Sequence, residues 1–260
     1  MTKFLSLYSS SSGNSILISN SDTNILIDAG VSAAKICAAL NDAGVEPNQI
    51  DAVLVTHEHS DHICGIRVLA KKYNIPVFAN ASTMEGVLKS APTIRPGDAH
   101  IITESTEYTI RSMKIKAFVT PHDSASSVGY VIESDNKKYA VATDTGSITK
   151  AMLGSLAGCE AVVIEANHDE DMLKNGPYPY LLKKRILSDV GHLSNKNCAW
   201  LATQLAIWGT KRILLGHLSE QNNTPQKAFD CVKKSLEENG FNVGSDLVLK
   251  VAPKDEICYI

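Results

Sequence analysis

Hydrophobic and polar positions along the chain fall into two alternating rhythms. The short runs "NILIDAG", "DAVLVT" and "IPVFAN" are rich in β-branched and aromatic residues, which predicts strands. Interleaved with them, "SAAKICAALNDAG", "CGIRVLAKKYN" and "STMEGVLKS" repeat apolar residues at helical spacing. Gly44 closes the first of these helices, and Ser82 or Thr83 opens the third with Glu85 in its first turn. From about 99 to 143 the pattern turns to strands alone, in "MKIKAFVT", "SVGYVIES" and "KKYAVATD". The rhythm then mixes again: "AVVIEA" (strand), "NKNCAWLATQLAIWG" (helix), "RILLGH" (strand), "PQKAFDCVKKSLEENG" (helix) and "LVLKVA" (strand). With no linker and no low-complexity stretch beyond "SSSSGNS", residues 1–260 read as one layered α/β domain with a mixed sheet or two packed sheets.

Composition changes this picture little. Hydrophobic residues make up 44% and charged residues 20%, an ordinary globular balance. No apolar run approaches the roughly 18 residues a membrane span needs, and "MTKFLSLYSSSSGNS" makes a poor export signal. Six scattered cysteines without a Cys-x-x-Cys pair read as reduced, buried thiols, so the expected compartment is the cytoplasm. Cys64, nearest to the chemistry, is expected to pack under its loop. A net charge of −3 argues against a broadly basic surface. "KKY" at 71–73 and "LLKKRI" at 181–186 are local basic patches that read as solvated helix faces.

The chemistry is concentrated elsewhere. "VLVTHEHSDHICGI" places His57, His59, Asp61 and His62 within six residues, directly after a strand run, in a chain with only 8 His. Three further strand runs deliver His122, Asp144 and His217 just past their ends. Open α/β sheets bind ligands beyond the carboxyl ends of their strands, where loops converge. Imidazoles and carboxylates without thiolates suit zinc, manganese or iron. Seven candidate ligands are too many for one ion and suit two divalent ions sharing a carboxylate. Such a pair acidifies a bridging water and clamps attacking and leaving oxygens, which points to a dinuclear metallohydrolase.

"THEHSDH", the His of "TPHDS", the Asp of "ATDTG" and the His of "LLGHLSE" resemble the ordered ligand motifs of the metallo-β-lactamase fold superfamily, over nearly the whole chain. The resemblance implies an αββα sandwich with two mixed β-sheets and the metals at one edge. It implies one ion on His57, His59 and His122, a second on Asp61, His62 and His217, and Asp144 between them. Asp28 of "ILIDAG" matches the superfamily's early strand-end Asp, which orients ligands without binding metal.

Substrate class rests on two more stretches. "GHLSN" before a helix offers a capped N-terminus, with Ser194 or Asn195 as cap and His192 just outside it as a proton donor. It is similar to the general-acid motif of the tRNase Z and phosphodiesterase branches. With "NHD", "YP" and "RI" it looks like the YycJ/WalJ-type branch, whose members are DNA exonucleases. That resemblance implies attack by a metal-bridging hydroxide on a phosphodiester at a DNA end, cut in the 5′-3′ direction, with Asp61 orienting the water and His192 protonating the leaving oxygen. Glu165 or Asp189 orients His192. Asn14 and Ser15, in the "SSSSGNS" turn, are expected to contact substrate phosphate, as are His168 and Ser194. His100 reads as structural. Rival readings are a glyoxalase II-like thioesterase, an RNA-processing endonuclease, and a metal-dependent binding module without turnover.

Overall fold

The apolar runs of the first hundred residues pair into one sheet, and those that follow pair into a second. The computed structural model describes residues 1–104 and 106–260. The first sheet is built from β1 (Lys3–Tyr8), β2 (Ser15–Ser19), β3 (Asn24–Ile27), β4 (Ala52–Leu54), β5 (Val77–Ala79) and β6 (Ala99–Ile101). Helices α1 (Ala33–Asp42), α2 (Ser60–Ile63), α3 (Ile66–Tyr73) and α4 (Ala81–Ser90) lie between its strands in sequence. The second sheet holds β7 (Glu107–Ile110), β8 (Met113–Val119), β9 (Val128–Ser134), β10 (Lys137–Ala142), β11 (Ala161–Glu165), β12 (Arg212–Gly216) and β13 (Val248–Val251). Its helices are α5 (Lys150–Leu156), α6 (Glu170–Asn175), α7 (Tyr180–Ile186), α8 (Asn195–Ile207) and α9 (Pro225–Glu238). The last strand, β14 (Cys258–Tyr259), returns to the first sheet beside β1.

Each sheet has seven strands, in the orders β14-β1-β2-β3-β4-β5-β6 and β13-β12-β11-β10-β9-β8-β7. Both are mixed. In the first, β3 to β6 run parallel and β14 to β3 antiparallel. In the second, β10 to β13 run parallel and β7 to β10 antiparallel.

The period-2 geometry of the strands sorts their side chains between two layers. On β2 and β3, Ile16, Ile18, Ile25 and Ile27 face the gap between the sheets, where they meet Tyr130, Tyr139, Val141 and Val163. The alternate residues Leu17 and Leu26 face the helix layer with Ile36, Leu40, Leu69 and Val87. On the far side, Ala140, Val162 and Ile164 pack with Met152, Leu201, Leu205, Val232 and Leu236 of α5, α8 and α9. The central strands β2 to β4, β11 and β12 are covered on both faces and read as continuous apolar runs, whereas β7 and β8 alternate buried or half-buried with exposed positions. The result is the expected αββα sandwich.

Local details differ from the sequence pattern. α4 starts at Ala81, because the Asn80 side chain accepts from Thr83 N; neither Ser82 nor Thr83 caps it. Cys64 is exposed, not packed under its loop, since the next residue takes the inward position through Gly65 N donating to Ala29 O. Among the other cysteines only Cys159 and Cys198 are buried. His100 stacks on Phe78 with ring centroids 4.5 Å apart.

Candidate metal centre

β3 and β4 of one sheet, and β8, β10, β11 and β12 of the other, end at a common edge. Just past them come Asp28, His57, His122, Asp144 and His217, with Glu165 as the last residue of β11. Three of these strand-end residues sit in the left-handed region: Asp28 at φ 61°, Asp144 at φ 55° and His217 at φ 56°. Non-glycine residues hold that conformation at a cost of order 1–3 kcal/mol each, and such strain concentrates at functional sites. Here it turns each side chain inward where the strand would otherwise run on.

The imidazoles are aimed by their outer nitrogens. His57 Nδ1 donates to Thr56 Oγ1 at 3.1 Å, His62 Nδ1 to Asp28 Oδ2 at 2.7 Å, His122 Nδ1 to Gly191 O at 3.1 Å and His217 Nδ1 to Glu165 Oε1 at 3.1 Å. Each of these bonds fixes a tautomer that leaves Nε2 with a lone pair facing inward, the usual support for metal-ligating histidines. Asp28 does more than hold His62, because its carboxylate also accepts from Thr56 N and Thr56 Oγ1, both at 2.8 Å.

The inward atoms converge. His59 Nδ1 lies 3.0 Å from His57 Nε2 and 3.3 Å from His122 Nε2. Ligands about 2.0–2.1 Å from a tetrahedral ion stand about 3.3–3.4 Å apart, so this spacing suits a shared cation. Asp61 Oδ2 lies 3.4 Å from His62 Nε2 and 3.6 Å from His217 Nε2. Asp144 reaches both groups, with Oδ2 3.2 Å from His62 Nε2 and Oδ1 3.3 Å from His217 Nε2 and 3.8 Å from His122 Nε2. Two buried atoms, Asp144 Oδ2 and His217 Nε2, have no hydrogen-bond partner. Orphaned buried donors and acceptors are costly unless something absent from the protein meets them.

Electrostatics points the same way. Burial, then the neighbouring His62, drives the His57 pKa well below the imidazole range, leaving the neutral form that ligates metal. Burial also opposes charge on His217, yet Asp144, Asp61 and Glu165 push its pKa up to about 10. Carboxylates that draw a proton into a buried site show that the site wants positive charge. The donor set therefore fits divalent cations, with His57, His59 and His122 forming one cluster and Asp61, His62 and His217 another.

The cleft over these residues has a volume of 230 Å³ and is also lined by Ser11, Asn167, Tyr178, Leu182, Arg185, His192 and Ser219. His192 Nδ1 donates to Glu165 Oε1 at 2.6 Å, leaving its Nε2 for the cleft. Burial opposes the His192 charge, and the Glu165 carboxylate outweighs it, raising the pKa above the imidazole value. Asp189 plays no such part; its backbone carbonyl accepts from Ser147 Oγ. Glu165 itself is pulled down to about 2, burial being outweighed by His192 and His217.

Four residues expected at the substrate lie behind the cleft instead. Asn14 N donates to Asp61 O at 2.9 Å, and its amide lies 3.2 Å from His62 Nε2, so it braces the ligand loop. Ser15 is fully buried and donates to Asp28 O. The backbone N–H groups of residues 10–14 all bond within the protein, which leaves no open anion cradle. Ser194 caps α8 by accepting from Asn197 N, and Asn195 N is covered by His168 O. His168 is buried beside Glu165, and burial depresses its pKa to about 4. Asn167, Arg185 and Ser219 also line the cleft; they lie inside the stretches "NHD", "LLKKRI" and "LLGHLSE", whose pattern does not single them out as cleft residues. Asn167 and Ser219 each lie two residues past a strand-end ligand or carboxylate, a usable signal.

Comparison with known proteins agrees with this geometry. Residues 23–218 match the beta-lactamase superfamily domain. Exodeoxyribonuclease YycJ of Bacillus anthracis is 39% identical over 244 residues, covering 93% of this chain and 91% of that protein. Exodeoxyribonuclease WalJ of Streptococcus pneumoniae is 37% identical over 246 residues, covering 94% and 91%. The metallo-beta-lactamase fold protein YhfI of Bacillus subtilis, 17% identical, shares the fold over 99% of each chain with a TM-score of 0.75. By sequence and by architecture, the chain belongs to the beta-lactamase superfamily, in its YycJ/WalJ branch.

Proposed function

We propose that this chain is a metal-dependent exodeoxyribonuclease that removes nucleotides from DNA ends in the 5′-3′ direction, working as a single domain in the cytoplasm. Two divalent ions, zinc, manganese or iron, would be held by His57, His59 and His122 and by Asp61, His62 and His217, with Asp144 within reach of both groups. When bound, they supply Lewis-acid polarisation of the phosphoryl oxygens and acidify water. Asp61 orients the attacking water. His192 Nε2–H gives its proton to the departing 3′ oxygen as the P–O bond breaks, and Glu165 holds the imidazole in place.

The Glu165–His192 pair carries this reading. An alkoxide leaving group is too basic to depart without a proton, whereas a thiolate, with a conjugate acid near pKa 8.5, needs no such donor. A proton donor oriented at 2.6 Å beside the ligand cluster therefore suits a phosphodiester better than a thioester. The names of the YycJ and WalJ relatives, each covered over 91% of its length, support DNA as the polymer.

The test strips the protein, reloads it with manganese or zinc, and offers bis(p-nitrophenyl) phosphate, a thioester and a 5′-labelled DNA duplex. The wild type is expected to cleave both phosphodiesters. His192→Ala is expected to retain its metal while losing ~10²–10⁴ in rate on the DNA. Turnover of the thioester alone, with His192→Ala matching wild type, would refute the reading.

A further inference from the structure

One segment of the chain borders the cleft without belonging to the ligand set. The short helix α7 divides the metal cleft from a neighbouring groove. Leu182, Arg185 and Ile186 line the cleft on one side, and Tyr180, Lys183, Lys184 and Leu187 line the groove on the other, with Lys174. Spacings of three and four residues put each set on its own face of the helix.

The crest of this ridge is unusual for a surface. Tyr180 and Leu181 are each 77% exposed, side by side at the end nearest Tyr178 of the cleft wall. Single exposed apolar residues are ordinary. Here an aromatic and an aliphatic side chain stand together, followed at once by Lys183, Lys184 and Arg185.

The charges on the ridge are only partly neutralised. Arg185 pairs with Asp123, and Lys174 lies 3.6 Å from Glu170. Lys183 Nζ donates to the backbone carbonyl of Lys174, which leaves its charge uncompensated. Lys184 has no ion-pair or hydrogen-bond partner among the described residues. This local excess of positive charge stands out in a chain whose net charge is −3.

A partner that suits cations interleaved with an exposed aromatic ring is a polyanion with flat apolar faces. Stacking of bases on aromatic side chains beside a basic track is how sequence-tolerant single-strand binding is built. We infer that α7 is the strand-gripping ridge of the enzyme. A nucleotide flanking the scissile bond stacks on Tyr180, and the phosphates that follow lie against Lys183 and Lys184. The inference rests on the nuclease reading above. Seven helical residues span about 10 Å, room for about three nucleotide steps of about 3.4 Å. Arg185, on the cleft face of the same helix, is placed to exchange Asp123 for a phosphate at the entrance.

The experiment measures binding of a fluorescein-labelled single-stranded oligonucleotide by anisotropy. Terminal phosphorothioate linkages slow its hydrolysis by the metal-loaded protein. Tyr180→Ala is expected to weaken binding ~10-fold, the scale of one lost base stack. The double variant K183A/K184A is expected to weaken binding and to flatten the dependence of log Kd on log salt by about 1.4, as two phosphate contacts are lost. Both changes lie on exposed or half-buried side chains, and thermal melting checks that each variant folds. Variants that bind within twofold of wild type at an unchanged salt slope would overturn the inference, as would a wild type that binds no oligonucleotide. Wild-type hydrolysis of bis(p-nitrophenyl) phosphate reads the phosphodiesterase chemistry separately, so failure of the ridge and failure of the enzyme reading are distinguishable.

Discussion

At the scale of single residues, the site depends on groups set behind the cleft lining. Gly30 shows this most directly, because a Cβ there would stand 1.6 Å from Asp61 O and 2.7 Å from Asn14 N. Backbone cannot yield as a flexible side chain can, so Gly30→Ala must displace the loop carrying Asp61 and His62. Overpacking of this kind costs about 1–3 kcal/mol or more. The expected outcome is fewer metal ions per chain by elemental analysis, and full wild-type loading would contradict it. Glu165 acts on His192 through charge. Burial pushes the His192 pKa down and Glu165 lifts it above the imidazole value, so the acid form persists to higher pH. In Glu165→Gln the lift is lost, the folded pKa falls, and the basic limb of the kcat–pH profile shifts to lower pH. A limb that stays in place, measured on a DNA oligonucleotide whose leaving group is an alkoxide, would show that Glu165 does not tune the donor.

At the scale of elements, the strands carry the candidate ligands and the packing between sheets aims them. Tyr130 on β9 lies wholly inside the sandwich, and its hydroxyl donates to Val55 O at 2.7 Å. Val55 follows β4 and precedes Thr56 and His57, so one buried hydrogen bond ties the second sheet to the strand end that delivers the first ligands. Tyr130→Phe leaves that carbonyl without its partner. The expected loss is about 1–3 kcal/mol in urea unfolding at an unchanged m-value, the usual penalty for an unsatisfied buried acceptor. A loss below about 0.5 kcal/mol would mean that the carbonyl finds another donor. α7 behaves differently from the sheet elements. Of its residues only Ile186 is buried, so its place beside the cleft, not its contribution to the core, accounts for its composition.

At the scale of the whole molecule, the His/Asp cluster joins the two halves of the sandwich. His57, His59, Asp61 and His62 follow a strand of the first sheet, while His122, Asp144 and His217 follow strands of the second. Ions bound there would act as a brace between the sheets. A ligand present at about 1,000 times its dissociation constant stabilises the folded state by about 4 kcal/mol. For a chain of this size, chelation should then lower Tm by on the order of 10 °C. Scanning calorimetry with and without chelator checks it, and restoring the ion should restore Tm. An unchanged Tm would mean that the clusters hold no ion tightly. Among the described residues no helix is long and apolar enough to cross a membrane.

What the chain reveals unaided is what local pattern can encode. An apolar strand run followed at once by His or Asp is a signal contained in about ten residues. It put His57, His122, Asp144 and His217 just past strand ends, and the alternation of strand and helix runs implied the layered fold. A helix cap at Ser194 or Asn195 is legible for the same reason, since capping depends on the next three residues, and the structure puts it at Ser194. Tertiary structure alone decided which way the loops between strands turn. Asn14, Ser15, His168 and Ser194 carry groups that suit phosphate, yet packing faces them inward, where they hold Asp61, Asp28 and α8. The choice of Glu165 over Asp189 for His192 likewise needed the parallel pairing of β11 with β12, which brings Glu165 to His217, 52 residues away. The ridge of α7 looked like any solvated helix until the fold set it against the cleft. Period and cap are properties of neighbours in sequence; exposure and convergence are properties of neighbours in space, and the site is made of the second kind.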